Sequence, residues 1–319
     1  MTTIDLTAPL IAAVSTLDGL PRRVALTLPE LQLVAARAGG APLPFDVAEA
    51  ADTPSLEGRL GASRATTEDA AYRAALGSLN DPETSLARRG LLAGGVLDDG
   101  LAGAVGLLAT PEYAVDVDVA VPGVQVKAWH RATSEAVATL ATCDGLVFEL
   151  AWFHPSVWPT ELSRIGVLPE DLAVRESRVP ASVELPYELA DAAVEAASAQ
   201  RGDLLSVLVA QHSGAVVADG RALTDGEAVS LLQALSAETQ GRLRALVADL
   251  TVQPTTVVGV RSWVMLADGW RTLRPHGHGE TARVELRAVA PSELAADLAP
   301  VLAGLTGHGG LPDGEEAAS

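Results

Sequence analysis

Residues 113–121 read YAVDVDVAV, and this stretch decides the fold class. It has a strict period-two pattern with one apolar face, which is typical of a half-buried β-strand. Three further strands are predicted at residues 124–131, 135–142 and 146–153, and Pro-Gly, Thr-Ser and Asp-Gly pairs separate the four strands. This spacing predicts an antiparallel meander.

Helix start signals lie on both sides of the meander. Thr27 and Thr224 are each followed three residues later by a glutamate, which is the pattern of a capping box. The helix that starts after Thr27 is predicted to reach about Arg37. Further helices are predicted at residues 67–79, 81–92, 100–110, 183–200, 202–212, 236–250 and 292–302. A second group of strands is predicted at residues 256–265, 270–273 and 281–288.

The second half of the chain repeats the element order of the first half. Residues 148–162 (FELAWFHPSVWPTEL) align without gaps with residues 284–298 (VELRAVAPSELAADL) at an offset of 136, with five identities. Leu28 and Leu185, each followed by proline, give a second match at an offset of 157. The alternative to a duplication is a match by chance, because a sequence rich in alanine and leucine aligns easily with itself. We expect two α+β halves whose exposed strand edges pair into one sheet.

These patterns predict one α+β domain over residues 1–305. It is expected to be a quasi-two-fold duplicated body with a central antiparallel sheet and helices on either side. The pseudo-repeat halves are expected at about residues 22–165 and 180–305. Residues 306–319 are rich in glycine and acid, so they are predicted to form a disordered acidic tail.

The composition excludes several classes of partner. The 319 residues include 22 basic and 41 acidic side chains, so the formal net charge is −19. This sign disfavours nucleic acid and anionic membrane surfaces, and it favours a partner rimmed by arginine or lysine. Cys143 is the only cysteine, so the chain can form neither an internal disulfide nor a cysteine-based zinc cluster. The N-terminus lacks a signal-peptide layout, which predicts a cytoplasmic protein.

Motifs that carry catalysis are absent from the sequence. It contains no P-loop, no glycine fingerprint for dinucleotides, no HExxH and no GxSxG. His154 is interpreted as a structural or surface histidine rather than a general base. Asp116 and Asp118 are interpreted as the solvated face of a half-buried strand. The sequence therefore predicts neither enzymatic activity nor a cofactor.

A metal-dependent enzyme is one alternative that the sequence leaves open. His276, His278 and Glu280 could supply three ligands to zinc or nickel. Glycines after each histidine favour an exposed hairpin tip, which would not hold ligands in a fixed geometry. A regulatory protein-interaction module is a second alternative.

Several segments share a pattern with one protein family. They are VALTLPELQLVAARAGGAPLPF (24–45), LARRGLL (86–92), LLATPEYAVDVDV (107–119) and the closing SWV and DGWRTL (262–273). Together they resemble the EspG proteins, the cytosolic chaperones of actinobacterial type VII (ESX) secretion. The resemblance covers about residues 22–305. It implies a quasi-two-fold α+β fold with a central antiparallel sheet and two helical bundles, and a function without catalysis.

The resemblance also implies a partner and a set of contact residues. EspG proteins bind the hydrophobic helical tip of the PPE protein in a PE–PPE heterodimer, keep it soluble and deliver the pair for transport. Another helical-hairpin secretion substrate is the alternative client, and a homodimer is a further expectation when no client is bound. The family's contacts come from the sheet, a loop between two of its strands and the C-terminal helical bundle. By location these correspond to Val121, Pro122, Gly123, Val124, Leu204, Leu205 and Leu208.

Overall fold

A twelve-stranded antiparallel sheet is the central element of the computed structural model, which describes residues 20–45, 65–170, 172–251, 255–277 and 282–307. The strands are β1 Arg22–Thr27, β2 Leu92–Ala93, β3 Val96–Leu97, β4 Tyr113–Val121, β5 Val124–Ala132, β6 Val137–Thr142, β7 Val147–Phe153, β8 Ser182–Pro186, β9 Val217–Ala218, β10 Arg221–Ala222, β11 Gly241–Asp249, β12 Thr256–Leu266, β13 Gly269–His276 and β14 Arg283–Val289. The helices are α1 Leu28–Arg37, α2 Ala65–Gly77, α3 Pro82–Arg88, α4 Asp99–Ala109, α5 Trp158–Ile165, α6 Tyr187–Ser198, α7 Leu205–Gln211, α8 Asp225–Glu238 and α9 Leu294–Gly307. The α+β class predicted from the sequence is confirmed.

The two halves of the chain contribute strands in the same order. The sheet order is β1-β7-β6-β5-β4-β11-β12-β13-β14-β8-β9-β10, and β2 and β3 form a separate hairpin. The central pair is β4 and β11, in which Val117 lies opposite Ala245. Outward from this pair the order is β5, β6, β7, β1 on one side and β12, β13, β14, β8 on the other.

The pairing registers relate the two halves residue by residue. Strands β4 and β11 are both nine residues long, so we align Tyr113 with Gly241, 128 positions later. The pairings then give two equivalences, Trp129 with Ser262 and Phe148 with Val284. The second has an offset of 136, the one at which residues 148–162 align with residues 284–298. This agreement supports the duplication, which stays a prediction.

The outermost equivalent strands are β1 and β8. Thr27 pairs with Val147, and Pro186 pairs with Arg283, which is the equivalent of Val147. Thr27 and Pro186 are therefore equivalent, at an offset of 159. The predicted match between the Leu-Pro pairs at an offset of 157 is wrong by two residues, because Leu185-Pro186 ends a strand rather than opening a helix.

The helix predicted over residues 236–250 is wrong. Helix α8 continues to Glu238, and the chain then forms strand β11. Leucine, arginine and alanine in this segment favour a helix locally. However, its buried residues alternate with Arg242 and Arg244, and β4 and β12 pair with its two edges. Pairing on both edges satisfies the backbone N–H and C=O groups of the strand. The tertiary context therefore decides the conformation of this segment.

Helices cover both faces of the sheet. On the front face, which carries Asp116 and Asp118 of β4, helices α1, α3 and α4 pack on the first half and α6, α7 and α8 on the second. On the back face, helices α5 and α9 pack over the central strands. The front face of β4 and β11 lies between the two front helical layers.

Buried carboxylates attach the back helices to the sheet. Asp297 of α9 accepts hydrogen bonds from Trp263 Nε1 at 2.8 Å and from Arg274 Nη2 at 2.7 Å. Glu161 of α5, 136 positions earlier, binds Arg23 at 2.5 Å. Both acids are nearly inaccessible to solvent. Equivalent positions therefore carry the same kind of attachment in the two halves.

The longest helices of the described ranges are α2, α8 and α9, with 13 or 14 residues. No described helix is long and apolar enough to cross a membrane. Helix α9 ends at Gly307, so Thr306 and Gly307 of the predicted tail are helical. The rest of the tail prediction, residues 308–319, lies outside the described residues.

Candidate binding groove

An apolar groove opens on the front face of the second half. Its walls are α6 and α8, and its floor is formed by β12, β13, β14 and the end of β8. Its volume is about 670 Å3. Tyr187, Val194 and Val260 lie at the groove and are substantially exposed. An open apolar groove of this size is large enough to receive several side chains of a partner.

Small side chains create the groove. Ala190, Ser262 and Val284 line it. Their equivalents in the first half are Leu31, Trp129 and Phe148. The same backbone arrangement therefore carries three large residues in the first half and three small ones in the second.

An additional aromatic ring completes the filling of the first half. Phe45, in the segment after α1, stacks on Trp129 and on Phe148, with ring centroids 5.1 Å apart in both pairs. Stacked aromatic rings bury a large apolar area. The first half is thus closed by its own side chains at the position where the second half is open.

The groove lining offers apolar contact and few reactive groups. Asp191 is the charged residue among those that line it, and the hydroxyl groups come from serines, a threonine and Tyr187. Among the described residues, no histidine or cysteine contributes to this lining. Each Å2 of apolar surface that is removed from water contributes a favourable free energy of about 25 cal/mol. The groove is therefore suited to bind an apolar surface.

The β4–β5 turn contains four of the predicted contact residues. Pro122 and Gly123 are exposed, while Val121 and Val124 are half-buried and close the hairpin. In the sheet, Val121 lies two strands away from β12, so the turn is outside the groove lining. The structure places this turn at one end of the uncovered central strands.

The other three predicted contact residues lie at the start of α7. Leu205 is 5% exposed and belongs to the core of the second half, so little of it is accessible to a partner in this structure. Leu208 packs against the same core, and Leu204 is exposed. None of the three lines the groove. The predicted residues therefore lie in the same helical bundle as the groove walls but outside the groove lining.

The predicted metal ligands are not brought together in the described residues. His276 is the last residue of β13, and its Nε2 lies 3.7 Å from Glu184 Oε1. Arg283 donates to the same carboxylate. His278 and Glu280 lie outside the described residues. Within the described ranges no group of three His, Cys, Asp or Glu could hold a metal ion.

The remaining acid-base candidates have local partners. His154 Nδ1 accepts the backbone N–H of Ser156 at 3.2 Å, so it caps the turn before α5. Asp116 accepts a hydrogen bond from Arg131 at 2.5 Å, which forms an ion pair on the sheet. These contacts account for His154 and Asp116 without a reaction.

His130 is a buried titratable group that the sequence reasoning missed. It is 1% exposed on the back face, where Trp158 Nε1 donates to its Nδ1 at 3.1 Å. Burial lowers the pKa of this imidazole to about 3, and the nearby charge of Arg131 acts in the same direction. The alternation of strand β5 could have placed it on a buried face.

Because of the buried His130, we expect the folded protein to lose stability in mild acid. Because its pKa falls from 6.5 in the unfolded chain to about 3 in the folded protein, the unfolded state binds more protons between these values. Its contribution is complete above pH 6.5 and is lost at about 1.4 kcal/mol per pH unit below it. Urea unfolding at pH 7 and pH 5 should show a smaller loss for His130→Asn, which retains an acceptor for Trp158. Equal losses in both proteins would contradict this origin.

Neither the known protein-family models nor the curated proteins include a match to this chain.

Proposed function

We propose that this protein is a non-enzymatic chaperone or adaptor that binds an amphipathic helical client in the groove of its second half. In line with the EspG resemblance, the client is a type VII secretion substrate of the PE–PPE kind. The protein keeps the client soluble in the cytoplasm and delivers it to the secretion system.

The difference between the two halves carries this proposal. A groove that arose from poor packing would be expected in either half. Here Trp129, Phe148 and Phe45 fill the first half, whereas Ser262 and Val284 leave the second half open. Retaining an open apolar surface forgoes the stabilisation that core packing would give. A partner that covers the groove accounts for that loss.

The energetics agree with reversible binding. Burying one large apolar side chain contributes about 1.5–3 kcal/mol. A groove of about 670 Å3 accepts only a few such side chains. Their sum is partly offset by the lost freedom of the two partners. A client held in this way can be released later, as delivery to a secretion system requires.

Co-expression tests the proposal directly. The protein would be produced with the helical-hairpin secretion substrates encoded nearest to its own gene, and the mixture analysed by size-exclusion chromatography with light scattering. We expect a stoichiometric complex that keeps an otherwise insoluble client in solution. The protein run alone reports whether it forms a homodimer. Clients that are soluble alone and elute separately would refute the chaperone function.

A further inference from the structure

In the described part of the chain, three cations without carboxylate partners lie on the central strands of the front face, and two of them adjoin the groove floor. Lys127 of β5 and Arg242 and Arg244 of β11 are exposed on the front face between the two helical layers. Arg244 pairs in register with Ser262 of the groove floor, and Arg242 pairs with Val264. We call these three cations the cationic strip. It is continuous with the floor of the groove.

The three cations of the strip differ from most of the described arginines in their ion pairing. Thirteen described arginines form ion pairs with carboxylates. Within the described residues, the three cations of the strip form none. Arg22, Arg88 and Arg175 also form none in these ranges, but they lie far apart in the chain, on β1, on α3 and in the segment between α5 and β8. In a chain with a net charge of −19, adjacent free cations need an explanation.

Asp118 does not neutralise the strip. It lies between Lys127 and Arg244 in the sheet register. Its Oδ1 is buried, and no described residue makes a hydrogen bond to it. Three cations and this one carboxylate leave a local charge of +2. Like charges on neighbouring positions of a sheet destabilise it, so an anionic partner would relieve the repulsion.

We propose that the cationic strip binds carboxylates on the flank of the helix whose apolar side chains enter the groove. This inference rests on the proposed function. Arg242 and Arg244 are two residues apart on one strand face, which separates them by about 6.6 Å. Glutamates at positions i and i+4 of a helix are about 6 Å apart along its axis. Each guanidinium can therefore meet one carboxylate, and the expected client has acidic pairs one turn apart.

The groove thus prefers a client of opposite charge to the one that the net charge suggests. A net charge of −19 favours a basic partner at long range. Salt screens that attraction beyond about 8–10 Å. At contact distance, the arginines of the strip donate charge-assisted hydrogen bonds to carboxylates of the client. Selection between acidic and basic helices then occurs at the strip.

Two synthetic amphipathic helices test the inference. They share one leucine face and differ only in the flank, which carries either glutamates or lysines one turn apart. Binding to the full-length protein is measured by fluorescence anisotropy at 50 and 300 mM NaCl. We expect the glutamate peptide to bind about tenfold more tightly at low salt, with a smaller difference at high salt.

Charge reversal tests whether the strip causes the preference for the glutamate peptide. The double variant Arg242→Glu/Arg244→Glu should reverse the preference between the two peptides. The matched control Arg22→Glu/Arg88→Glu makes the same change in net charge far from the groove, so it should leave the preference unchanged. Circular dichroism of each variant checks that it is folded.

The outcomes separate the two proposals. Equal binding of both peptides, or tighter binding of the lysine peptide, would overturn the role of the strip and leave the groove as a binding site. If Ser262→Trp removes the binding of both peptides, the groove is their site. Failure of the wild-type protein to bind either peptide would count against the proposed function as well.

Discussion

Filling the groove with the side chains that the first half already carries is expected to abolish client binding. The variant is Ala190→Leu/Ser262→Trp/Val284→Phe, which introduces the residue types of Leu31, Trp129 and Phe148 at the equivalent positions. Each new side chain occupies space that a client side chain would otherwise enter. Excluding one or two buried apolar residues removes about 3 kcal/mol, which weakens binding at least about a hundredfold. Titration calorimetry with a purified client measures the loss.

The stability of the filled variant separates blocking from misfolding. Ala190 and Ser262 are half-buried at the groove, whereas Val284 is 7% exposed and also belongs to the core of the second half. Because all three line the groove, the larger side chains can extend into its open space, and the thermal midpoint should stay the same or rise. Ser230→Trp is the matched control, because Ser230 is an exposed residue of α8 that does not line the groove. If the folded variant keeps wild-type affinity, the client binds elsewhere, and the turn at residues 121–124 becomes the first candidate.

Elements with strong local signals could be predicted from the sequence. Strand β4 has the predicted limits, residues 113–121, because its central residues alternate between buried valines and half-buried aspartates. Both capping boxes form, with Thr27 accepting from Glu30 N–H and Thr224 from Glu227 N–H. In these segments, local propensity and tertiary packing favour the same conformation.

Strand β11 shows where local reasoning fails. The segment Arg242 to Leu246 contains good helix-forming residues, and its alternation is weak because alanine and leucine fall on both faces. Its strand conformation depends on β4 and β12, which are distant in sequence. The position of β11 at the centre of the sheet, paired with β4, was the missing information.

The groove could not be predicted from the sequence for a different reason. It results from small residues, and Ala190, Ser262 and Val284 carry no signal in isolation. Their meaning appears only when each is compared with its equivalent in the first half. The offsets of those pairs are 159, 133 and 136, so a search at one fixed period does not align them.

Removing the buried carboxylate of Asp297 is expected to cause the largest loss of stability. Asp297 is 3% exposed and holds Trp263 and Arg274 through hydrogen bonds of 2.8 and 2.7 Å. In Asp297→Ala the indole N–H of Trp263 stays buried without an acceptor, and Arg274 loses its carboxylate. Breaking a fully buried charge pair from one side costs about 3–5 kcal/mol. Because the Arg274 side chain is 40% exposed, we expect a loss at the lower end of this range, about 3 kcal/mol. Thermal unfolding should show a decrease of roughly 4–5 °C for a chain of this size.

Two controls distinguish a buried attachment from a general loss of charge. Glu149→Gln removes an exposed carboxylate that also binds an arginine, Arg23, at 3.1 Å, so it should cost less than about 1 kcal/mol. Asp297→Asn keeps an oxygen acceptor for Trp263 and should cost less than Asp297→Ala.

A double variant then tests where the cost arises. If the cost comes from groups left without partners, removing Arg274 as well should recover part of it, because the guanidinium is no longer unpaired. The loss in Asp297→Asn/Arg274→Gln should therefore be smaller than the sum of the two single losses. Additive losses would mean that the pair does not act as a unit. In that case the attachment of α9 to the sheet would depend on apolar contacts such as those of Leu294 and Leu298, which are both buried.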